Sequence, residues 1–388
     1  MTDDTKQAKY NCSPKKDMKH IKKTEDNFQE DEDLETDREV VDIGDSDEDV
    51  FQDIGDDPVL DADYLPPLVS FIQEMNQTEI SEFVLLGLTT NYSLQLLLFV
   101  SFFLTYLCSF LSNLGMIILI RVSQHLNTPM YFFLSHLSFI DLCYSTSITP
   151  RMLSDCLSII KSISFIGCAA QMFSFAMFAT SESFLVTAMA YDRYVAISHP
   201  LFYHCVMNES MCWRLVSGAY SASFLASITH TITVFKFPLC GSNIINHFYC
   251  DIPPLLKLTC AYSYARKWVV FSLAFAMGVA SFLVILMSYV SIIFTIVGIK
   301  SAEGRSKAFS TCASHLSVVI SFYSAVFGNY FLASLNSESI SKVFSILYTV
   351  VSPLLNPLIY SLKNAEVKKA IGISLSSIPK NTLFVTNA

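Results

Sequence analysis

The sequence Met-Ala-Tyr-Asp-Arg-Tyr-Val-Ala-Ile-Ser-His-Pro, residues 189–200, places an acid and an arginine side by side at the end of a long apolar run. An ionisable residue at the edge of a membrane span costs about 2.5–3.5 kcal/mol on insertion scales, so it usually marks a mechanism and has a partner nearby. Here Asp192 has Arg193 as its neighbour. A simpler interpretation is a helix-end pair whose arginine reaches the headgroups. The choice between the two depends on the flanking sequence.

Composition divides the chain into two unlike parts. The 388 residues are 52% hydrophobic and 15% charged, which is too apolar for one soluble domain. Residues 1–75 contain 23 acidic and 8 basic residues, a net charge of −15, whereas residues 76–388 contain 11 acidic and 17 basic residues, a net charge of +6; together they give −9. Because residues 1–75 have almost no long apolar run, we expect a disordered acidic N-terminal extension without a cleavable signal peptide. It is either a solvated appendage or an arm that binds cations or a partner.

Seven apolar runs are long enough to cross about 30 Å of hydrocarbon. Backbone groups in lipid must be satisfied within the segment, so these runs are expected to be helices, and seven of them form a bundle. The predicted fold is therefore an all-α membrane protein with seven transmembrane helices. The runs are Leu94–Ile120, Met130–Thr149, Ala169–Tyr191, Leu215–Phe235, Trp268–Ile299, Phe309–Leu335 and Val343–Leu362.

The distribution of Lys and Arg at the span ends modestly favours an extracellular N-terminus and a cytoplasmic C-terminus. This orientation predicts an extracellular segment over residues 76–93, a receptor domain over 94–362, and a cytoplasmic tail with a short amphipathic helix over 363–388. Four cysteines then fall outside the cell, where disulfides persist, and they allow three connectivities. These cysteines are Cys168, Cys240, Cys250 and Cys260.

The sequence contains four candidate acceptor motifs for asparagine-linked glycosylation, and the side of the membrane on which each lies decides which can be modified. Asn208 is expected to face the cytosol and to remain unmodified, and Asn91 lies close to the bilayer. Asn76, in Asn76-Gln77-Thr78, is the favoured site, and Asn11 is the fourth candidate.

Three further motifs accompany the stretch at residues 189–200. They are Leu-Asn-Thr-Pro-Met-Tyr-Phe-Phe-Leu-Ser at 126–135, Lys-Ala-Phe-Ser-Thr-Cys-Ala-Ser-His-Leu at 307–316, and Pro-Leu-Leu-Asn-Pro-Leu-Ile-Tyr-Ser-Leu-Lys-Asn at 353–364. Together they resemble olfactory receptors, a branch of the rhodopsin-like G-protein-coupled receptors, over about residues 76–371. The chain departs from the family pattern at Ser112, His136, Ser198, Tyr220 and Ser324-Ala325.

The resemblance implies roles for specific residues. It implies the disulfides Cys168–Cys250 and Cys240–Cys260. It implies an internal polar cluster that includes Asn113, Asp141, Glu182 and Asn356 and can hold a cation or protons; alternatively, these groups only hydrogen-bond one another to hold the helices together. It also implies a switch for G-protein coupling formed by Asp192, Arg193, Tyr194, Tyr289, Asn356, Pro357 and Tyr360.

Proline chemistry adds a prediction about the seventh helix. Pro357 cannot donate a backbone hydrogen bond and its ring crowds the preceding turn, so the helix is expected to bend near Asn356. Tyr360 would then have a hinge on which to move.

A ligand pocket is expected in the outer third of the bundle. Phe175, Ala176, Ala179 and Thr180 share one helical face, although any single one of them can be ordinary packing. As a set they suggest an apolar pocket with a few hydroxyls for a small, neutral, hydrophobic molecule. By analogy of position, the sixth and seventh spans add Tyr323, Phe327, Tyr330 and Thr349.

The function expected from this resemblance is that of an odorant receptor at the plasma membrane, with an odorant, a heterotrimeric G-protein and the lipid bilayer as partners. We expect no enzyme activity, because the sequence has no phosphate-binding Gly-rich loop, no His-Glu-x-x-His and no Cys-x-x-Cys. We also expect no cofactor, metal site or nucleic-acid partner, and interpret His247 as an outer-loop histidine. The alternative is a transporter or ion channel that uses Asp141 and Glu182 as an ion path, but no internal repeat supports it.

Overall fold

The fold is a bundle of long helices with a small sheet at one end. The computed structural model describes residues 81–236, 243–258, 264–334 and 338–376. We label the long helices α1 to α7, and the described part of each of the seven predicted runs falls almost entirely on one of them. The helices are α1 Tyr92–Val122, α2 Pro129–Leu157, α3 Phe165–Ser198, α4 Glu209–Phe235, α5 Tyr264–Gly298, α6 Ala302–Ser334, α7 in three consecutive segments, Glu338–Ile346, Leu347–Val351 and Ser352–Lys363, and finally α8 Ala365–Ser376.

Short helical segments occupy several connections. Gln124–Leu126 and Pro200–Phe202 are 3-10 turns, and Tyr203–Val206 is a single α-helical turn. Ile252–Lys257 forms a six-residue helix in the connection between α4 and α5. The amphipathic helix expected after the seventh span corresponds to α8.

Polar residues at the ends of the apolar runs set where helices begin. The side chains of Asn91, Ser164 and Asn208 accept hydrogen bonds from the backbone N–H groups three residues later, at 3.2, 3.1 and 2.9 Å. Such caps satisfy donors that the first turn of a helix leaves without partners. Pro129 occupies the first turn of α2, where the lack of an N–H has no cost. Two of the asparagines in candidate glycosylation motifs, Asn91 and Asn208, are therefore helix caps.

The outer surface of the bundle is apolar. Phe275, Met287 and Phe294 on α5 are 68%, 66% and 75% exposed. Among the described residues, five helices are long and apolar enough to cross a membrane: Tyr92–Val122, Phe165–Ser198, Trp268–Gly298, Ala302–Gly328 and Ile340–Ser361. α2 and α4 are not among these five, because serine, threonine and histidine side chains interrupt their apolar sequences.

A three-stranded sheet joins the segment before α1 to two loops. β1 (Glu82–Leu85) lies between β2 (Ser162–Ser164), to which it is antiparallel, and β3 (Ile244–Ile245), to which it is parallel. Phe83 and Leu85 are fully buried in a core that also contains Cys168 and Cys250. The sequence analysis predicts none of these strands, because four, three and two residues are too few to show an alternating pattern.

Two departures from the family pattern contact each other. The Nδ1 atom of His136 on α2 lies 3.4 Å from the hydroxyl of Tyr220 on α4. The ring of Trp213 packs edge-on against His136, with the ring centroids 5.8 Å apart. His136 and Tyr220, which both depart from the family pattern, therefore form one contact between α2 and α4.

The irregular part of α7 lies before the proline that was expected to cause it. Residues Leu347–Val351 form a π-helical turn, and the Ser352 hydroxyl donates to the carbonyl of Leu347 at 3.2 Å. The following α-helical segment continues through Pro357 to Lys363. The irregularity thus ends five residues before Asn356, where the bend is predicted, and Pro353 follows it. Pro353 has no backbone N–H to donate to the carbonyl four residues earlier, which belongs to Thr349 within the π-helical turn.

Candidate functional site: an outer cavity and a cytosolic ion pair

An outer cavity lies among α3, α4, α5, α6, α7 and the helix Ile252–Lys257. It encloses about 820 Å³ of space between atoms, its opening to solvent included. Five of the predicted pocket residues line it, namely Phe175, Ala176, Ala179, Thr180 and Tyr323. The lining also contains residues that the sequence analysis does not select, among them Ser183, Phe184, His230, Met277 and Tyr348.

Three other predicted pocket residues have different positions. Phe327 packs against Tyr323 with ring centroids 5.7 Å apart, but it does not line the cavity and is 42% exposed. Thr349 is fully buried, and its hydroxyl donates to the carbonyl of Ser345 at 2.8 Å, away from the cavity lining. The side chain of Tyr330 lies outside the described residues.

Aromatic rings form the inner wall of the cavity. Tyr348 on α7 has its ring centroid 5.3 Å from that of Tyr144 and 5.6 Å from that of Phe322. Phe175 on α3 lies 5.5 Å from Tyr144 and 5.1 Å from Tyr249 of the outer loop. Contacts at these distances and tilts are favourable between aromatic rings. They connect four helices, α2, α3, α6 and α7, and the outer loop at the wall of the cavity.

A disulfide holds the outer loop over α3. Cys168 and Cys250 are joined, with their Cα atoms 5.5 Å apart, which is the pairing that the resemblance implies. The backbone N–H of Cys250 also donates to Oε1 of Gln171 at 3.0 Å. The helix that follows contributes Ile252 to the cavity lining. The other implied disulfide, Cys240–Cys260, and the predicted glycosylation site Asn76 lie outside the described residues.

Lys342 and His247 connect the outer loop to α7. Nζ of Lys342 donates to the carbonyl of Gly87 at 3.0 Å and to Oδ1 of Asn246 at 2.8 Å. His247 is buried, and its Nε2 lies 3.3 Å from the hydroxyl of Ser345. Burial, together with the charge of Lys342, lowers the pKa of His247 to about 3, so its imidazole is neutral at physiological pH. Among the described residues there is no cluster of three or more His, Cys, Asp or Glu side chains suited to a metal.

An internal polar cluster lies in the middle of the bundle. Nδ2 of Asn356 donates to Oδ2 of Asp141 at 3.1 Å and to Oε1 of Glu182 at 3.3 Å. All three side chains are at most 3% exposed. Neither carboxylate forms an ion pair with a described Lys, Arg or His side chain. Two buried acids that share one amide donor need a proton or a cation to offset their charge.

Asn113 joins α1 to α7 beside this cluster. Its Nδ2 donates to the backbone carbonyl of Pro353 at 2.8 Å and to that of Ser109 at 3.0 Å. These bonds satisfy a carbonyl of the α7 segment that contains Asn356. Asn113 therefore positions the segment and does not bond to either carboxylate.

The ion pair of Asp192 and Arg193 lies near the C-terminal end of α3. Oδ2 of Asp192 accepts hydrogen bonds from Arg193 at 3.1 Å from Nε and 2.5 Å from Nη2. The other oxygen, Oδ1, accepts from the hydroxyl of Tyr203 at 2.8 Å. Asp192 is completely buried, so both of its oxygens depend on these two partners. Burial and the adjacent carboxylate raise the pKa of Tyr203, which keeps its hydroxyl a donor.

Other predicted switch residues surround this pair. The hydroxyl of Tyr289 on α5 lies 2.6 Å from Nδ1 of His315 on α6, whose Nε2 lies 3.1 Å from the carbonyl of Val186. Tyr360 is fully buried, and its hydroxyl has no partner among the described residues. Tyr194 is bonded to Nε2 of His199 at 3.1 Å. The partners Tyr203, His315, Val186 and His199 are not among the predicted switch residues.

The arrangement of the helices is similar to that of squid rhodopsin. The crystal structure of squid rhodopsin matches it with a TM-score of 0.59 and 17% sequence identity, over 74% of this chain and 87% of that chain. At this identity the match establishes the fold alone.

Sequence comparison gives the family. A family model described as olfactory receptor matches residues 102–377. Human olfactory receptor 5G3 is 51% identical over 300 residues, which cover 77% of this chain and 96% of that protein. Mouse olfactory receptor 5G9 is 48% identical over 313 residues, which cover 80% of this chain and 99% of that protein. The chain belongs to the olfactory receptor family.

Family membership confirms the predicted class of function. The protein is an odorant receptor that signals through a G-protein, a multi-pass protein of the plasma membrane and not an enzyme. The transporter or channel alternative is not favoured.

Proposed function

We propose that the outer cavity is the odorant site and that its occupant is a small, neutral, hydrophobic molecule. The observation that supports this most directly is the lining itself. Aromatic and aliphatic side chains surround the space with few hydroxyls, and no Asp, Glu, Lys or Arg occurs in the described lining. Removing a charged ligand from water without a counter-charge is costly, so a neutral ligand fits better.

The route from the cavity to the cytosol runs through α3 and α6. At the cavity, the hydroxyls of Ser183 on α3 and Tyr323 on α6 lie 3.2 Å apart. About one helical turn further along α3, the same two helices and α5 are connected through Val186, His315 and Tyr289. A ligand that shifts Tyr323 would change how α6 lies on α3 at both levels. A ligand biases a receptor only through such a difference in contacts between its two states.

At the cytosolic end, the closed state is proposed to be the one in which Asp192 holds Arg193. Activation releases the guanidinium, which is then available to the G-protein. Tyr194, Tyr289, Pro357 and Tyr360 are proposed to rearrange with it. Tyr203 belongs to the same restraint, because it occupies the second oxygen of Asp192 at 2.8 Å.

Filling the cavity tests its role. Ala179→Phe places a ring in the space on α3 and is expected to raise the EC50 of any activating odorant at least about tenfold, since the ligand and the ring compete for the same volume. The measurement is a cyclic-nucleotide reporter assay across an odorant panel in transfected cells. Ala222→Phe, on the exposed face of α4, is the matched control and should leave the EC50 unchanged. Equal EC50 values for the two variants at equal surface density would show that the odorant does not bind in this cavity.

The polar cluster of Asp141, Glu182 and Asn356 is proposed to hold a cation or a proton in the resting receptor. The support is the pair of buried carboxyls with one shared amide donor. A charge bound there would link α2, α3 and α7. The state with the closed cytosolic face would then depend on the occupant of the cluster.

Replacing sodium with N-methylglucamine around receptor-containing membranes tests this proposal. If sodium occupies the cluster, basal signalling of the wild type should rise about threefold, because the resting state loses its stabilising ion. Glu182→Gln should abolish this sensitivity, and Glu209→Gln, an exposed acid at the start of α4, should retain it. Sodium insensitivity combined with pH-dependent basal activity would assign the charge to a proton. If basal signalling depends on neither sodium nor pH, the cluster only provides hydrogen bonds between helices.

Several further expectations remain proposals. We propose that the N-terminus lies outside the cell and that residues 363–388 lie in the cytoplasm. Residues 1–75 are proposed to be an appendage to the receptor, and residues 76–93 its extracellular segment. Glycosylation is proposed at Asn76 and the second outer disulfide at Cys240–Cys260. The apolar side chains exposed on α1 and α5 support contact with the lipid bilayer. We propose no nucleic-acid partner.

A further inference from the structure

His230 is an unusual residue in the wall of the outer cavity. It lies on α4, lines the cavity and is 5% exposed. Its Nδ1 atom is buried and has no hydrogen-bond partner among the described residues. Buried polar groups normally have a partner, and an exception needs an explanation.

Two other polar side chains of the lining and one other buried histidine are bonded. Ser183 and Tyr323, which also line the cavity, are bonded to each other at 3.2 Å. His315 is equally buried, and both of its ring nitrogens have partners, the Tyr289 hydroxyl at 2.6 Å and the Val186 carbonyl at 3.1 Å. His230 thus differs from a histidine that holds helices together. Its unused nitrogen belongs to a side chain that borders empty space.

We infer that His230 is the polar anchor of the cavity and makes the receptor selective for neutral odorants that carry a hydroxyl or carbonyl oxygen. The inference rests on the proposed function of the cavity as the odorant site. A neutral imidazole has one donor nitrogen and one acceptor nitrogen, so it can bond either oxygen group. The surrounding Phe184, Met277 and Val326 offer only apolar contacts to the rest of the ligand.

Selectivity follows from the cost of the unpaired nitrogen. An oxygen-bearing ligand satisfies the buried group, whereas a hydrocarbon of the same shape displaces water and leaves it without a partner. A site with such a buried polar group discriminates strongly against an analogue that lacks the oxygen. An apolar pocket discriminates less strongly against a ligand that is only one methylene shorter. Carboxylic acids are also disfavoured, because the described lining has no Lys or Arg to balance their charge.

The test compares matched compounds in the cyclic-nucleotide assay. The probes are straight-chain alkanols, 2-alkanones, alkanes and alkanoic acids, from hexyl to decyl, together with benzyl alcohol, acetophenone and ethylbenzene. In the wild type, an alcohol or ketone should activate at a concentration at least about tenfold lower than its hydrocarbon counterpart. His230→Phe, which keeps a ring but has no nitrogen, should raise the EC50 of the oxygenated agonist about tenfold and erase the preference over the hydrocarbon.

Two further variants separate hydrogen bonding from shape. His230→Asn places an amide near the position of Nδ1 and should recover part of the preference for the oxygenated agonist. His125→Phe, an exposed residue outside the cavity, should behave as the wild type. Whether alcohols or ketones are preferred identifies Nδ1 as acceptor or donor, and either result supports the inference.

Two outcomes overturn the inference in distinguishable ways. His230 is not the polar anchor if alkanes have the same EC50 as alcohols and ketones, or if His230→Phe keeps the wild-type preference for oxygenated agonists at equal surface density. Either result leaves the cavity as the proposed odorant site. If filling the cavity with Ala179→Phe leaves every response unchanged, the site itself is wrong and the anchor with it.

Discussion

The Cys250→Ser receptor is expected to lose its odorant response, and most of it should fail to reach the cell surface. The disulfide closes a loop across a sequence separation of 82 residues, and a constraint on a loop of this length is worth about 4 kcal/mol against the unfolded chain. Both cysteines are completely buried, so the substitution also leaves the Cys168 thiol and a serine hydroxyl in the core that contains Phe83 and Leu85. Without this anchor, Ile252 loses its fixed position in the cavity lining.

Surface labelling in intact cells and the cyclic-nucleotide assay measure this effect. Cys108→Ser is the control, because Cys108 is a free, exposed cysteine on α1 whose replacement should change neither quantity. Mass spectrometry of non-reduced peptides that joins Cys168 to any cysteine other than Cys250 would contradict the assignment, as would a normal response from the Cys250→Ser receptor.

Opposite effects are expected from the two members of the cytosolic ion pair. Asp192→Asn should raise basal signalling several-fold, since removing the charge costs the closed state about 1–2 kcal/mol, a usual coupling free energy. Tyr203→Phe removes only one of the bonds to Asp192 and should raise it less. Arg193→Ala should abolish the response, because the side chain offered to the G-protein is missing.

The assay must separate signalling from folding. All variants are compared at matched surface density, and Arg214→Ala, an exposed arginine on the cytosolic part of α4, serves as the control that should respond normally. Unchanged basal activity in Asp192→Asn, together with a normal odorant response in Arg193→Ala, would make the pair a helix-end contact without a role in switching.

The seven helices and the residues at their functional positions follow from the sequence because they depend on local chemistry. An apolar run long enough to span lipid is predicted to be helical, and a charged pair at its end indicates a functional site. The predicted partners Asp141, Glu182 and Asn356 indeed meet in one cluster. The pairing of Cys168 with Cys250 was available only through family resemblance, since spacing alone left three connectivities.

What the sequence does not provide are contacts between segments that lack a local signature. His230 appears in the sequence as an isolated histidine in an apolar run, and only the packing of five helices places it on the cavity. Tyr203 lies in a connecting loop, so its bond to Asp192 depends on how that loop folds back. Phe327 on α6 and Thr349 on α7 were placed in the pocket by analogy of position. For Thr349, the analogy does not account for the π-helical turn in which this residue lies.

The position of β1 in the middle of its sheet has a consequence for biosynthesis. β1 is made before α1, but its partner β2 follows α2, and its other partner β3 follows α4. During translation, the edge of residues 82–85 that faces β3 therefore has no strand partner until the fourth helix has been made. Contacts between residues so far apart in sequence form slowly. Completion of the outer sheet is thus expected to be a late checkpoint in receptor maturation, after helix insertion, at which quality control in the secretory pathway can retain incomplete molecules.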